Sequence, residues 1–339
     1  MKVLVTGGAG YIGSVLTRIL LEKGYNVRCL DRFFFGKETL QDVISNPRLE
    51  LVKDDIRWFD PAILKDVDAT IDLASLSNDP SGELDPSKTY DINYLGRVRV
   101  AKLSKEYGVK RYVLASTCSV YGFHEDILDE TSPTNPLTTY AKSNVSAEKD
   151  VLAVADENFT VTVLRQATVY GLSSRMRFDL AINGMVLGAY RDKKIPVMRD
   201  GTQWRPFVHV KDTSKAFVTV LESSSGKVNK QVFNVGSNEQ NVQIFPLAEL
   251  VMRTLDMAPQ VEWYGSLDKR SYRVSFDKIR KSLGFVPDYT PKEGAEEVYE
   301  ALESKRTMDS LKTRTVEWYK HLLEASKLAE EITLKGTVL

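Results

Sequence analysis

The first chemistry legible in the chain lies close to its start. Gly7-Gly8-Ala9-Gly10-Tyr11-Ile12-Gly13 satisfies Gly8-x-Gly10-x-x-Gly13 and, in a second register, Gly7-x-x-Gly10-x-x-Gly13. Glycines here permit a tight turn and let the backbone approach a pyrophosphate. A helix opening behind them adds free N–H groups and a partial positive charge. The loop follows a strand-like run and precedes a helical pattern, the context a dinucleotide loop requires. Asp31 closes the next strand-like run, 18 residues beyond Gly13. A carboxylate there accepts hydrogen bonds from adenosine ribose hydroxyls and repels a 2′-phosphate, so the pattern predicts NAD. Arg32 beside it is the feature that favours NADP instead. Asp54-Asp55-Ile56 follows the third strand and either sets Asp55 and Ile56 near adenine or forms a solvated turn.

These side chains need a scaffold. Strands are predicted at Lys2–Thr6, Asn26–Asp31, Leu49–Lys53, Asp68–Ala74, Arg111–Ser116 and Thr160–Arg165, with helices near 11–24, 86–107 and 138–155. Strands alternating with helices imply βαβ units, and right-handed crossovers make them a Rossmann-type doubly wound parallel α/β sheet. The expected division is an NAD-binding domain over 1–171 and a smaller α/β domain over 172–339, mainly for substrate, with segments returning to the sheet. Helices near 174–190, 210–222, 244–256, 291–304 and 310–328 belong to this second part.

Bulk properties exclude several classes. Basic and acidic residues balance at 46 each, so no global field draws the protein to nucleic acid or an anionic membrane. No apolar run approaches the roughly 20 residues of a membrane span. Met1 leads straight into a strand, which argues against a signal peptide. Cys29 and Cys118 are expected to stay reduced, which suits the cytoplasm. No clustered His, Cys and Asp spacing suggests a metal.

Two further stretches narrow the reading: Ala115-Ser116-Thr117-Cys118-Ser119-Val120-Tyr121-Gly122, and Thr138-Thr139-Tyr140-Ala141-Lys142-Ser143-Asn144. With the glycine loop they resemble the extended short-chain dehydrogenase/reductase family, in its NAD-dependent sugar epimerase/dehydratase branch. Leu73-Ala74-Ser75, Ile92-Asn93-Tyr94-Leu95-Gly96, Arg205-Pro206-Phe207-Val208-His209-Val210 and Phe233-Asn234-Val235-Gly236 follow in the family's order, so the resemblance spans nearly the whole chain. It implies cofactor contacts from Leu73 and Ala74 as well as from Gly7, Gly10, Tyr11, Ile12 and Gly13. It also implies that Tyr140 takes the proton of a sugar hydroxyl while Thr117 holds the same oxygen. A transient 4-keto sugar would then turn and be reduced on its other face.

The chain departs from the family pattern at one position. The family motif is Tyr-x-x-x-Lys, and Asn144 stands where the lysine belongs. That lysine binds the nicotinamide ribose and lowers the tyrosine pKa by its charge. Asn144 can donate and accept a hydrogen bond to ribose but carries no charge. Lys142 points away along the helix, Lys149 is rotated off the face, and Glu148 has the wrong sign. The expectation is an enzyme that works slowly or at higher pH.

The family's dehydratases keep an Asp-Glu pair where this chain has Cys118 and Ser119, which disfavours dehydration. Cys118 is either an acid/base beside the sugar or a small buried residue. By resemblance, the stretch from Ser173 to Asn183 reaches the diphosphate and sugar, as do Arg205 and Arg270, whose planar forks suit phosphate. The insert Ser77–Gly82 lines the sugar pocket or is a turn, and His209 reads as a packed polar residue. The leading expectation is a C4 epimerase of a UDP- or GDP-sugar, acting as a homodimer. The alternatives are a C4 dehydrogenase or ketoreductase and a silent NAD-binding sensor or scaffold.

Overall fold

The computed structural model describes residues 1–258, 260–334 and 336–337. Seven parallel strands form the central sheet: β1 (Lys2–Thr6), β2 (Asn26–Asp31), β3 (Leu49–Lys53), β4 (Ala69–Asp72), β5 (Arg111–Thr117), β6 (Thr160–Gln166) and β7 (Gln231–Val235). Their spatial order is β7-β6-β5-β4-β1-β2-β3. Strands buried on both faces tend to read as continuous apolar runs, as Val3-Leu4-Val5 does in β1, while β6 is buried at every residue although Thr160, Thr162, Arg165 and Gln166 interrupt its apolar run. The order reverses between β1 and β4, so the loops leaving these strands diverge and open a crevice at their carboxyl ends.

The main helices are α1 (Tyr11–Glu22), α2 (Arg97–Glu106), α3 (Thr139–Val154), α4 (Ala181–Asp192), α5 (Val210–Glu222), α6 (Ile244–Thr254), α7 (Pro291–Glu303) and α8 (Thr315–Ile332). α1 packs on α5 and α2 packs on α3. Leu16, Leu20, Phe217 and Leu221 fill one core, and Val100, Tyr112, Val151 and Val161 fill another. α4, α6 and α7 pack on one another around a third core of Ile182, Val186, Leu247 and Val298. Thus β7 and α5 belong to the sheet although they lie late in the chain.

The periodicity misplaced one long element. The helix expected from 174 starts at Ala181, because Ser173–Leu180 is instead held as an irregular segment by side-chain bonds into the sheet. Arg177 donates to the Ser77 carbonyl at 3.1 Å, and Ser173 donates to the Tyr11 carbonyl at 2.7 Å. Short strands of three to six residues at Phe123–Leu128, Thr168–Tyr170, Ile195–Met198, Trp204–His209 and Ser271–Val274 complete the fold.

Candidate active site

A cleft of about 1080 Å³ runs along the carboxyl ends of the strands, from the glycine loop to the arginines of the second half. At its cofactor end the glycines are sterically required. Gly7 has φ +67°, and a Cβ there would come within 3.0 Å of the Ala74 backbone. A Cβ on Gly13 would lie 2.1 Å from the Gly7 carbonyl oxygen. The start of α1 therefore sits directly on the loop, with Gly10, Tyr11 and Ile12 facing the cleft and Leu73 and Ala74 opposite.

Asp31 accepts from the Ala9 N–H at 3.0 Å and from the Phe33 N–H at 2.7 Å. Burial raises its pKa, although both N–H groups and Arg175 pull the other way. Arg32 turns to Asp55 at 2.7 Å, and Arg57 reaches the same carboxylate at 2.8 Å. Burial opposes the charge on Asp55, but the two arginines outweigh it and hold the pKa at about 2. Arg32 is thus committed to a carboxylate, which removes the feature that favoured NADP. Asp55 and Ile56 both line the cleft. A backbone cradle that no side chain could enter, followed by a carboxylate, fits NAD.

Tyr140 is placed by the start of α3. Thr138 caps that helix by accepting from the Ala141 N–H at 3.1 Å, which sets Tyr140 in its first turn. Gly82 packs against it, since a Cβ at Gly82 would lie 2.9 Å from the Tyr140 Cβ. Thr117, at the end of β5, opens into the same cleft. Burial, then Asp79, raises the Tyr140 pKa; Arg97, the Thr117 hydroxyl and Arg177 lower it without cancelling the rise.

At the other end Arg205 pairs with Asp268 at 2.7 Å. Arg270 bonds Asp268 at 2.7 Å and also pairs with Asp79, so the two arginines share a carboxylate. Ser77, Asn78, Asp79, Pro80 and Ser81 all line the cleft, which makes the insert a pocket wall. Asn78 donates to Asp179 at 2.9 Å, tying this wall to the second half of the chain.

Three residues expected at the site do not line the cleft. Cys118 is 1% exposed, its thiol donates to the Arg165 carbonyl at 3.4 Å, and burial pushes its pKa up; it is a packed residue and no acid/base. Asn183 is fully buried and spent: it donates to the Tyr11 hydroxyl and the Arg177 carbonyl and accepts from the Gly171 N–H. Asn144 is 1% exposed, and both ends of its amide are occupied within the protein. Its Nδ2 donates to the Tyr140 carbonyl at 2.8 Å, and its Oδ1 accepts from Arg97 at 2.9 Å. Its side chain does not reach the cleft where ribose would lie. The sequence had suggested that Asn144 would bind ribose; its geometry puts it behind the tyrosine instead.

Arg97 is the residue that sequence reasoning missed. It follows Ile92–Gly96 directly, and its signal was a charge in register with Ala101 and Ser104 on the buried face of α2. Asp79 and Arg177, expected only as members of the insert Ser77–Gly82 and the stretch Ser173–Asn183, both line the cleft. His209 is buried and pairs with Glu297 on α7 at 2.9 Å. Among the described residues, no group of three or more His, Cys, Asp or Glu could hold a metal ion. None of their helices is long and apolar enough to cross a membrane.

A doubly wound sheet whose glycine cradle, strand-end carboxylate and Thr–Tyr pair share one cleft defines a dinucleotide-dependent enzyme of the short-chain dehydrogenase/reductase type. Residues 3–236 match the NAD dependent epimerase/dehydratase family, and the chain belongs to it. UDP-glucuronic acid decarboxylase 1 of Danio rerio is 28% identical over 303 residues, covering 86% of this chain and 70% of that protein. UDP-glucuronate 4-epimerase of Thermodesulfobacterium geofontis is 27% identical over 345 residues, covering 96% and 98%. The structure of MoeE5 in complex with UDP-glucuronic acid and NAD superposes with a TM-score of 0.80 at 26% identity, covering 90% of this chain and all of that one.

Proposed function

We propose that the protein interconverts the C4 epimers of a UDP-sugar. The observation that carries this is the placement of one acid–base pair, Thr117 and Tyr140, between the glycine cradle and the Arg205/Arg270 end of a single cleft. Gly7, Gly10, Gly13 and Asp31 would hold NAD, with Leu73 and Ala74 on the facing wall. When bound, NAD supplies the hydride acceptor and donor for the sugar carbon. Tyr140 takes the proton from the C4 hydroxyl and returns it, and Thr117 fixes that oxygen in line. Arg205 and Arg270 exchange their carboxylate partners for the diphosphate oxygens, which they grip bidentately. Cys118, turned into the core, leaves no further acid at the position where a dehydratase would need one.

UDP is favoured over GDP by the ligands named for the relatives. Two buried, free cysteines suit a reducing compartment such as the cytoplasm. The test is product analysis of UDP-glucose and UDP-glucuronate incubated with the protein. Epimerisation yields the C4 epimer at equilibrium, with no steady gain in reduced-nicotinamide absorbance. Steady gain of that absorbance indicates a dehydrogenase, and release of carbon dioxide from UDP-glucuronate indicates a decarboxylase; either overturns the reading. Tyr140→Phe should lower turnover by about 10²–10⁴-fold while NAD still binds.

A further inference from the structure

The chain lacks the lysine of its family's motif, yet a cation lies beside the position that lysine would occupy. Arg97 is 1% exposed, and its Nη1 donates to the Asn144 Oδ1 at 2.9 Å. Its Nη2 donates to the carbonyls of Asp72, at 3.1 Å, and Ala115. Ala115 is two residues before Thr117 on β5, and Asn144 is one helical turn after Tyr140 on α3. The guanidinium is thus wedged under the strand end and helix start that carry the acid–base pair. Resting on the reading above, we propose that Arg97, held by Asn144, supplies the positive charge that the lysine provides elsewhere in the family, and that the pair positions and electrostatically activates Tyr140.

The immediate surroundings give that charge a single counter-ion, Asp72, at the outer limit of ion-pair range. Among the described residues, the only carboxylate within ion-pair range is Asp72, 3.8 Å from Nε, and Nε makes no hydrogen bond. The Asp72 oxygens are taken by the hydroxyls of Thr6, at 2.6 Å, and Tyr112. A role confined to bonding carbonyls would need donors but no charge, and burying an arginine for that purpose alone is costly. Other charged or polar groups facing Tyr140 are Asp79 from the insert, Arg177 from the second half and Thr117 from β5. Asp79 opposes ionisation and is itself paired with Arg270. Arg97 ranks ahead of Thr117 and Arg177 among the groups that favour it.

Asn144 then has a definite task. A lysine at 144 would meet the Arg97 guanidinium at contact distance, whereas the amide accepts from Arg97 and passes a donor to the Tyr140 carbonyl. Arginine at 97 and lysine at 144 are alternative ways to place one buried charge, and they exclude each other.

The experiment follows the Tyr140 phenol by NMR of protein carrying ¹³Cζ-tyrosine, with and without NAD, with the resonance assigned by Tyr140→Phe. In Arg97→Met the Tyr140 titration should move up by about one pH unit, and the acidic limb of the kcat/KM profile with it. Adding Asn144→Lys to Arg97→Met should bring both back to near the wild-type value. Asn144→Lys alone should lower neither. An unchanged Tyr140 titration in folded Arg97→Met overturns the proposal. So does a drop of a unit or more in Asn144→Lys with Arg97 in place. If Arg97→Met does not fold, the double variant decides: a wild-type titration supports the proposal, and one raised by a unit or more overturns it. The titration needs no turnover, so a protein inactive on every nucleotide sugar would sink the epimerase reading and leave this test readable.

Discussion

Asp31 and Asp55 show how two carboxylates at neighbouring strand ends take different tasks. Asp31 has only backbone N–H partners, so its outer lone pairs remain for ribose. Asp55 is paired with both Arg32 and Arg57, so Arg32 is turned to a carboxylate. Replacing Asp31 by Ala should therefore weaken NAD binding by about 1.5–3 kcal/mol, the worth of hydrogen bonds to a charged acceptor, and erode discrimination against NADP. Calorimetric titration with both cofactors measures this. The residue scale is also where type alone guides poorly: Asn144 and Asn183 are engaged by Arg97 and Tyr11, distant in sequence, while Cys118 is the small buried residue of its second reading.

Between elements, the most consequential tie joins α7 to the strand that leads into α5. Glu297 accepts from the Leu172 N–H at 3.0 Å, meets His209 at 2.9 Å and pairs with Lys211. Burial disfavours its charge, but His209, Lys211 and the Leu172 N–H outweigh burial and depress its pKa to about 2. A carboxyl whose folded pKa lies below its unfolded one stabilises the fold fully above the unfolded value. That stability is lost as pH falls from about 4.5 through about 2. Glu297→Gln should cost about 1–3 kcal/mol at neutral pH and flatten the stability–pH slope in that window, as read by urea unfolding. The element scale was well marked in the sequence for β1, α1 and α5, whose apolar periods are long. It failed at Ser173–Leu180, because side-chain bonds to Tyr11 and Ser77 outweigh local helical preference there.

At the scale of the whole molecule, the cleft is closed across its two halves by Asn78–Asp179, Arg177–Ser77 and Arg270–Asp79. On the proposed function, a substrate diphosphate would compete with Asp79 and Asp268 for Arg205 and Arg270. Arg270→Gln should raise KM for the nucleotide sugar at least about tenfold with a smaller change in kcat, since it removes binding shared by ground and transition states. Leu95, just before α2, is 54% exposed and Tyr107, just after it, 40%, apolar surface that a homodimer would cover. Light scattering should give twice the chain mass for wild type, and Leu95→Glu should shift it toward the monomer.

The sequence by itself determined the parallel sheet, the glycine cradle, Asp31 and the Thr117–Tyr140 pair. Each is written in contiguous residues whose spacing follows from strand, turn and helix geometry. Only the tertiary structure decided how charge is arranged around them. Asn144 meets Arg97 across 47 positions, and Arg270 meets Asp79 across 191. No local pattern encodes such pairs, because buried charges are settled by which groups the packed core brings within a few ångströms of one another. That is why a missing lysine is visible in the chain, and the arginine beside its place only in the fold.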